Sequence, residues 1–338
     1  MSAGLAVSAS GRELSRVVGP RAARLLHDAL VGLREDGRSG SIVLPANVCP
    51  IVPLTCWRAG FHTDFIDIDP ASQGMTADRV AARLRDPRAP QASGIIFVHA
   101  YGRVSDDTLR GVADVLENHG DELFLIDDRC SLVPSFDRPE EERLGDMVLF
   151  STGYAKRVDI GYGGFAWVQP FVGNIGPVED FSEEAFEHAR AFFREPTPRD
   201  EALAEVPRDW LDSRPMDESQ YFKEVLARRD AALRHEQELR DIYMTHVPVN
   251  LHLGAEFEWR FNLLVDNPRE LIDAIFAAGL FASAHYPSIA QPISGAQTPN
   301  AELSGKRLVN LFTNEPFTAE MAEQCAAIVR HVGRRLEP

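Results

Sequence analysis

The sequence predicts an α/β protein: a large unit built on a mostly parallel sheet, followed by a small C-terminal α+β unit. Three observations carry that prediction. Short apolar runs alternate with amphipathic stretches up to about residue 170. A charged, proline-interrupted stretch then runs from 177 to 247 and reads as mostly helical. From about residue 250 the pattern becomes strand, helix, strand, helix. With 338 residues and 44% hydrophobic content, two domains are expected, 1–235 and 248–338, bridged by the helical stretch 177–247.

The strands expected in the large unit are SIVLP (41–45), FHTDFIDID (61–69), GIIFVHA (94–100), LFLIDD (123–128), DMVLFS (146–151) and GGFAWV (163–168). Each is short and rich in Val, Ile or Phe, and four of the six end at Pro, Asp or Ser. The helices between them are 21–35, 76–85 and 107–120, the last with Leu109, Val112, Ala113 and Leu116 on one face and Gly120 as a stop. Strands alternating with helices imply parallel β-α-β units covered on both faces. Residues 217–247 predict one long helix with a mixed-charge exposed face. In the small unit, strands are expected over 259–266 and 307–314 and helices over 268–280 and 318–336.

A net charge of −16 argues against nucleic acid and anionic membrane surfaces as partners, although a local pocket of Arg and amide groups can still hold an anionic ligand. No run approaches the ~18 apolar residues of a membrane span, and no signal peptide is visible. Cys49, Cys56, Cys130 and Cys325 show neither CxxC spacing nor a partnered His cluster. A reduced cytoplasmic protein without disulfides or a structural metal is the expectation.

In open α/β sheets, ligands sit beyond the carboxyl ends of the strands. Three features fall there: Asp127-Asp128, Ser151 followed by Lys156, and the helix start at Gly19-Pro20-Arg21, whose free N–H groups can hold an anion. Taken singly, each has a plain structural reading: a cap, a solvated charge, an ordinary helix start. Lys156 differs in lying within the Gly-rich apolar stretch STGYAKRVDIGYGGF, where a pocketed lysine can lose its proton and act as a nucleophile or Schiff-base former.

Order and spacing go further. FVHAYGRVSDD (97–107), FLIDDRCSLVPS (124–135) and GDMVLFSTGYAKRVDIGYGG (145–164), together with FIDIDP (65–70) and LFASAHYPSIAQP (280–292), fall in the order of five motifs of one family. The chain resembles the DegT/DnrJ/EryC1/StrS family of pyridoxal-phosphate-dependent aminotransferases, best known for acting on nucleotide-linked keto-sugars, along nearly its whole length. That resemblance implies fold type I, like aspartate aminotransferase, with pyridoxal 5′-phosphate as the cofactor. It implies that Lys156 carries the cofactor as a Schiff base and then moves protons, and that Asp128 pairs with the pyridinium nitrogen. It further implies Cys130 packing beneath the ring, and Ser151, Gly19 and Arg21 around the phosphate. Asn47 and Ser131 fall at cofactor-contacting positions, and Tyr101, His285 and Tyr286 at substrate-facing ones.

The sequence departs from the family pattern at several of these. Ser131 stands where the family usually has Gln or His, Asn47 where many members stack an aromatic ring, and Arg21 where a phosphate-binding Thr is common. The family's N-x-R-M segment is not recognisable; DSRPMDESQ (212–220) is its nearest counterpart. The implied reaction is transfer of an amino group from an amino-acid donor to a small keto acceptor, a nucleotide keto-sugar or a secondary-metabolite ketone. The implied assembly is a homodimer with shared sites. Two alternatives stay open: another pyridoxal-phosphate reaction on an amino acid (elimination, replacement or condensation), and a non-catalytic member of the fold.

Overall fold

The structure is a computed structural model that describes residues 5–7, 13–119, 123–136, 144–168, 210–211 and 214–335. Residues 177–209 of the expected helical stretch 177–247, and residues 212 and 213 of the 212–220 segment, lie outside those described.

Eight strands form the larger sheet: β1 (Leu5–Val7), β2 (Glu13–Gly19), β3 (Ser41–Pro45), β4 (His62–Ile66), β5 (Ala92–Val98), β6 (Phe124–Asp128), β7 (Met147–Ser151) and β8 (Gly164–Val168). Their spatial order is β1-β2-β8-β7-β6-β5-β3-β4. From β4 to β7 every neighbouring pair is parallel, whereas β8 runs antiparallel to both β7 and β2. All six strands read from the sequence are present. The pair β1–β2 was not foreseen, because ELSRVVG lacks clean alternation and the run LAV before it is only three residues long.

The mostly parallel sheet is buried on both faces, as an alternating β-α chain requires. Ile42, Leu44, Ile96, Phe124, Ile126 and Leu149 pack against Leu25, Leu26, Ala29, Leu30 and Leu33 of helix α1 (Ala22–Glu35) and Val52 of α2 (Ile51–Arg58). The intervening residues Val43, Ile95, Phe97 and Leu125 face the other way, onto Val80 of α3 (Ala77–Arg85) and Leu109, Val112 and Leu116 of α4 (Asp106–His119). This period-two alternation decides which side chain at each strand end faces which layer.

Helix α5 (Glu218–His246) has 29 residues and is about 43 Å long at the usual rise. Asp217 caps it by accepting the Gln220 N–H at 2.8 Å. Its first turns put Tyr221 and Val225 against Phe150 and Phe165, and its last turns put Leu239 and Tyr243 into the core of the second sheet. That sheet is antiparallel, ordered β10 (Ala282–Ser283), β11 (Leu308–Leu311), β9 (Phe261–Leu264), and is packed by α6 (Pro268–Ala277) and α9 (Ala319–Val332). Two short helices, α7 (Ala290–Ser294) and α8 (Pro299–Gly305), were not expected from the sequence. Among the described residues no helix is long and apolar enough to cross a membrane.

Candidate functional site

A cavity of about 600 Å³ opens where the carboxyl ends of four adjacent strands meet the three-stranded sheet. Following β3 come Asn47 and Cys49; following β5, Tyr101; ending and following β6, Asp128, Cys130 and Ser131; ending and following β7, Ser151 and Lys156. Arg21, Ala22 and Ala23 enter from the start of α1, and His285 and Tyr286 from the segment after β10. Every site residue expected from the sequence therefore lines this cavity except Gly19. Gly19 ends β2 opposite Gly164, and a Cβ there would meet Leu25 Cδ2 at 2.9 Å, so its part is the close approach of α1.

Adjacent Asp127 and Asp128 do opposite things because strand neighbours face opposite layers. Asp127 is fully buried, accepts hydrogen bonds from His99 Nε2 at 2.8 Å and Arg129 Nε at 2.6 Å, and faces away from the cavity. His99 Nδ1 accepts the Ser105 N–H at 3.0 Å, which places the ring proton on Nε2, toward Asp127. Asp128 faces the cavity, and its Oδ1 accepts the Cys130 N–H at 2.9 Å. A carboxylate so oriented presents its remaining capacity to whatever fills the space.

The loop carrying Lys156 is held from three directions. Asp159 accepts the N–H groups of Ala155 and Gly161, both at 2.7 Å. Trp259 donates its indole N–H to the Ala155 carbonyl at 2.8 Å. Arg157 reaches Glu236 of α5 at 3.0 Å and Glu258 at 2.5 Å. Lys156 itself is half-buried, and among the described residues no hydrogen bond or ion pair engages its ammonium. Its charge is close enough to hold down the thiol pKa values of Cys49 and Cys130, but burial dominates and pushes both up, with Asp128 adding to the rise at each. Both thiols therefore remain protonated at neutral pH.

The glycines of GYGG have local reasons. Gly163 has φ +86°, and a Cβ on it would meet Tyr221 Cε2 at 2.5 Å; Tyr221 in turn shares a 2.9 Å hydrogen bond with Thr152. Gly164 lies against the first residue of α1, where a Cβ would meet the Ala22 N at 2.9 Å. The helix N-terminus is thus drawn onto the sheet beside Ser151. Helix α1 has no acidic residue in its first turn and no side-chain cap, so its positive end faces the cavity together with Arg21 and the Ser151 hydroxyl. That corner has the groups to hold an anion.

Asn47 and Tyr101 serve more structurally than their motif positions suggest. The Asn47 amide donates to the Gln73 carbonyl at 2.8 Å, which commits one of its donor hydrogens. The buried Tyr101 hydroxyl accepts the Tyr286 N–H at 2.9 Å and lies within hydrogen-bonding reach of Asn47; burial pushes its pKa up to about 12. It ties the edge of the large sheet to the segment bearing His285 and Tyr286. Within the FIDIDP motif, Asp67 accepts the N–H groups of Asn300 and Ala301 at the start of α8, away from the cavity.

Sequence reasoning missed Trp259, Arg260, Phe312 and Trp210, all of which line the cavity. The strand expected over 259–266 begins only at Phe261, because Arg260 takes a left-handed φ of 61° that breaks the ladder. Its guanidinium lies 4.5 Å from the Trp259 ring and 4.0 Å from that of Phe312, and donates to His285 Nδ1 at 3.2 Å. Among the described residues four non-glycines have positive φ: Gln73, Tyr101, Ala155 and Arg260. Three of these line the cavity and the fourth holds Asn47, a clustering of backbone strain that marks functional sites at a cost of about 1–3 kcal/mol each.

No protein-family model matches the sequence, and no curated protein matches it with significance. Solved structures do match. DesI, crystallised with its TDP-sugar product, is 19% identical with a TM-score of 0.65, over 94% of this chain and 80% of that one. A DegT DnrJ EryC1 StrS aminotransferase from Brucella abortus is 17% identical with a TM-score of 0.64, over 94% and 85%. NtdA from Bacillus subtilis, with bound cofactor PMP, is 15% identical with a TM-score of 0.64, over 94% and 73%. Likeness at such identities speaks to architecture alone: the chain has the fold-type-I architecture that these pyridoxal-phosphate aminotransferase structures share.

Proposed function

We propose that the protein is a pyridoxal-phosphate-dependent aminotransferase that moves an amino group from an amino-acid donor to a small keto acceptor, a nucleotide keto-sugar or a secondary-metabolite ketone. One observation carries this reading: Lys156, Asp128 and the groups at the start of α1 that can hold an anion line a single cavity of about 600 Å³. The residues fit the group. An acidic first turn would repel a phosphate and is absent from α1; Asp128 keeps carboxylate capacity facing the cavity; the Lys156 ammonium is unengaged. The likeness to DesI, crystallised with its TDP-sugar product, supports the substrate class, and the likeness to NtdA, with bound PMP, supports the cofactor.

When bound, pyridoxal phosphate supplies an electron sink that stabilises negative charge at the substrate carbon. The protein's own groups do the rest. Ser151, Arg21 and the N–H groups at the start of α1 bind and orient the phosphate. Asp128 holds a proton on the pyridine nitrogen by a charge-assisted hydrogen bond. Cys130, a neutral thiol in the cavity wall, would pack against the bound ring. Lys156 takes a proton from the substrate carbon and returns it on the other side of the transfer, work that a positioned base performs about 10²–10⁴-fold faster than solvent. His285 and Tyr286 form the wall that the acceptor meets. We also propose a homodimer in which a second copy completes the site, supported by Tyr154, a cavity-lining aromatic that is 72% exposed.

The test is chemical. Purified protein saturated with pyridoxal phosphate is reduced with borohydride, digested and mapped; the adduct is expected on the Lys156 peptide. Lys156→Ala is expected to lose both the adduct and turnover. An adduct on Lys223 or Lys306, the other two lysines, would overturn the assignment. A scan of amino donors and keto acceptors then separates amino transfer from elimination, replacement or condensation.

A further inference from the structure

Among the described residues, three Arg and Lys side chains line the cavity of about 600 Å³: Arg21, Lys156 and Arg260. The reaction proposed above uses the first two and gives Arg260 no part. Arg260 is nevertheless held with care. It is buried, and its left-handed φ of 61° is a conformation that a residue with a side chain keeps only where its surroundings enforce it.

Its guanidinium acts on groups of the protein. It lies against the rings of Trp259 and Phe312, and its Nη1 donates to Ser283 Oγ and, at 3.2 Å, to His285 Nδ1. The fully buried Asn310 pins the same segment from behind. Its Oδ1 accepts the His285 N–H at 2.6 Å and the Ser283 O–H at 3.3 Å, and its amide donates to Asn262 Oδ1 at 2.7 Å. The His285 ring sits edge-to-face with Trp259 at 5.8 Å and with Tyr286 at 4.9 Å. Main chain, ring plane and Nδ1 of His285 are therefore each fixed. A guanidinium only donates and keeps its charge, so Nδ1 has to be the acceptor, and the ring hydrogen then belongs on Nε2. A proton added at Nδ1 would break that bond and set two cations side by side.

We propose that Arg260 is a positioning residue for the acceptor: it holds His285 as the neutral imidazole with its hydrogen on Nε2, so that His285 meets the acceptor's oxygen as a hydrogen-bond donor and neither as a base nor as a cation. A second base is thereby kept out of the cavity wall, and proton transfer at the substrate carbon stays with Lys156. The meeting with an acceptor rests on the proposed aminotransferase reading; the state of the ring does not.

The experiment reads the ring nitrogens. Full-length protein carrying isotope-labelled histidine and saturated with pyridoxal phosphate gives a nitrogen–proton NMR correlation spectrum at neutral pH, with the His285 signals assigned by their loss in His285→Gln. Wild type is expected to show one neutral ring with its hydrogen on Nε2. Arg260→Met, which removes the donor, is expected to show a mixture of both tautomers; Arg260→Gly, which suits the left-handed φ, replaces it if the Met variant does not fold. A wild-type hydrogen on Nδ1, a charged wild-type ring, or a spectrum unmoved by loss of the guanidinium would each overturn the proposal. With the acceptor found by the scan above, Arg260→Met is expected to raise the acceptor KM up to about tenfold, the weight of one hydrogen bond, and to leave the donor KM in place. In a His285→Gln background the same change is expected to add nothing. A rise that persists there would mean that Arg260 touches the acceptor itself, which also overturns the positioning role. The spectrum needs no turnover, so a protein that transfers no amino group yet shows the expected ring states sinks the proposed reaction and leaves the hold of Arg260 on His285 standing.

Discussion

The two walls around Lys156 are built by different means. The wall from the large sheet is set by backbone: Asn47, Tyr101, Asp128 and Ser151 stand at the ends of β3, β5, β6 and β7, and the hydrogen-bond ladder fixes their spacing. The wall from the small sheet is set by side chains. Arg240 of α5 gathers the carbonyls of Ala255 at 2.9 Å, Phe257 at 3.3 Å, Glu258 at 3.4 Å and Arg260 at 3.2 Å, and Asn262 bonds the carbonyls of Phe257, Trp259 and Arg260. Those contacts hold Arg260 in its left-handed conformation and aim Trp259 at the lysine loop. A ladder tolerates side-chain change at its ends; a wall gathered by one guanidinium does not.

The sharpest way to break the comparison is to strike each member of the Asp127–Asp128 pair. Asp127→Ala removes a buried carboxylate from two partners, His99 and Arg129, and is expected to cost about 3–5 kcal/mol of stability, read as a lowered denaturant midpoint. Asp128→Ala is expected to leave the midpoint nearly in place. It should weaken cofactor retention on the order of 10–100-fold, from loss of a charged hydrogen bond of about 1.5–3 kcal/mol. Equal effects on stability and on cofactor retention would erase the distinction between the two faces of β6.

Gly163→Ala tests the seam between the ladder and the lysine loop. The new methyl group meets the Tyr221 ring at a positive φ, and overpacking alone is expected to cost about 1–3 kcal/mol, visible in thermal unfolding. Gly161→Ala is the control for strain without contact, since nothing lies within 4 Å of a Cβ there.

A smaller effect is expected from the side-chain wall. Trp259→Phe keeps an aromatic surface but removes the hydrogen bond to the Ala155 carbonyl, about 0.5–1.5 kcal/mol. The readout is the lysine loop itself: faster amide exchange at Ala155 and Lys156, with the cores of both sheets unchanged. Exchange unaltered at the loop would show that Asp159 and Arg157 suffice to hold it.

The mildest probe is the thiols. Burial raises the pKa of Cys49, so alkylation of the cofactor-free protein is expected to be slow at pH 7–8 and to quicken only as pH rises above the usual thiol value of about 8.5. The Lys156 ammonium opposes that rise, so Lys156→Ala is expected to push the onset to still higher pH. An onset left unmoved or shifted to lower pH would show that the Lys156 charge does not act on the thiol.

The sequence by itself determined the large-sheet wall. Short apolar runs placed six strands, and parallel connection from β3 to β7 put their carboxyl ends, hence Asp128, Ser151 and Lys156, on one edge. It also determined the long helix from Asp217 and the start of α1 at Arg21. Periodicity and punctuation are local, and elements with local causes can be read locally. Which of Asp127 and Asp128 faces the cavity followed from the resemblance and not from the pattern, because β6 is buried on both sides and its hydrophobic run carries no phase. Only the tertiary structure decided the rest. Arg260 leaves the β region because α5, distant in sequence, supplies a guanidinium to the surrounding carbonyls. Asn47 is committed to Gln73, and Tyr101 to Tyr286, by contacts across 26 and 185 residues. Glu236 lies beside Lys156 only because the long helix crosses beneath its loop. Contacts of that separation leave no local signature: each depends on where two elements dock, and that is settled when the layers pack.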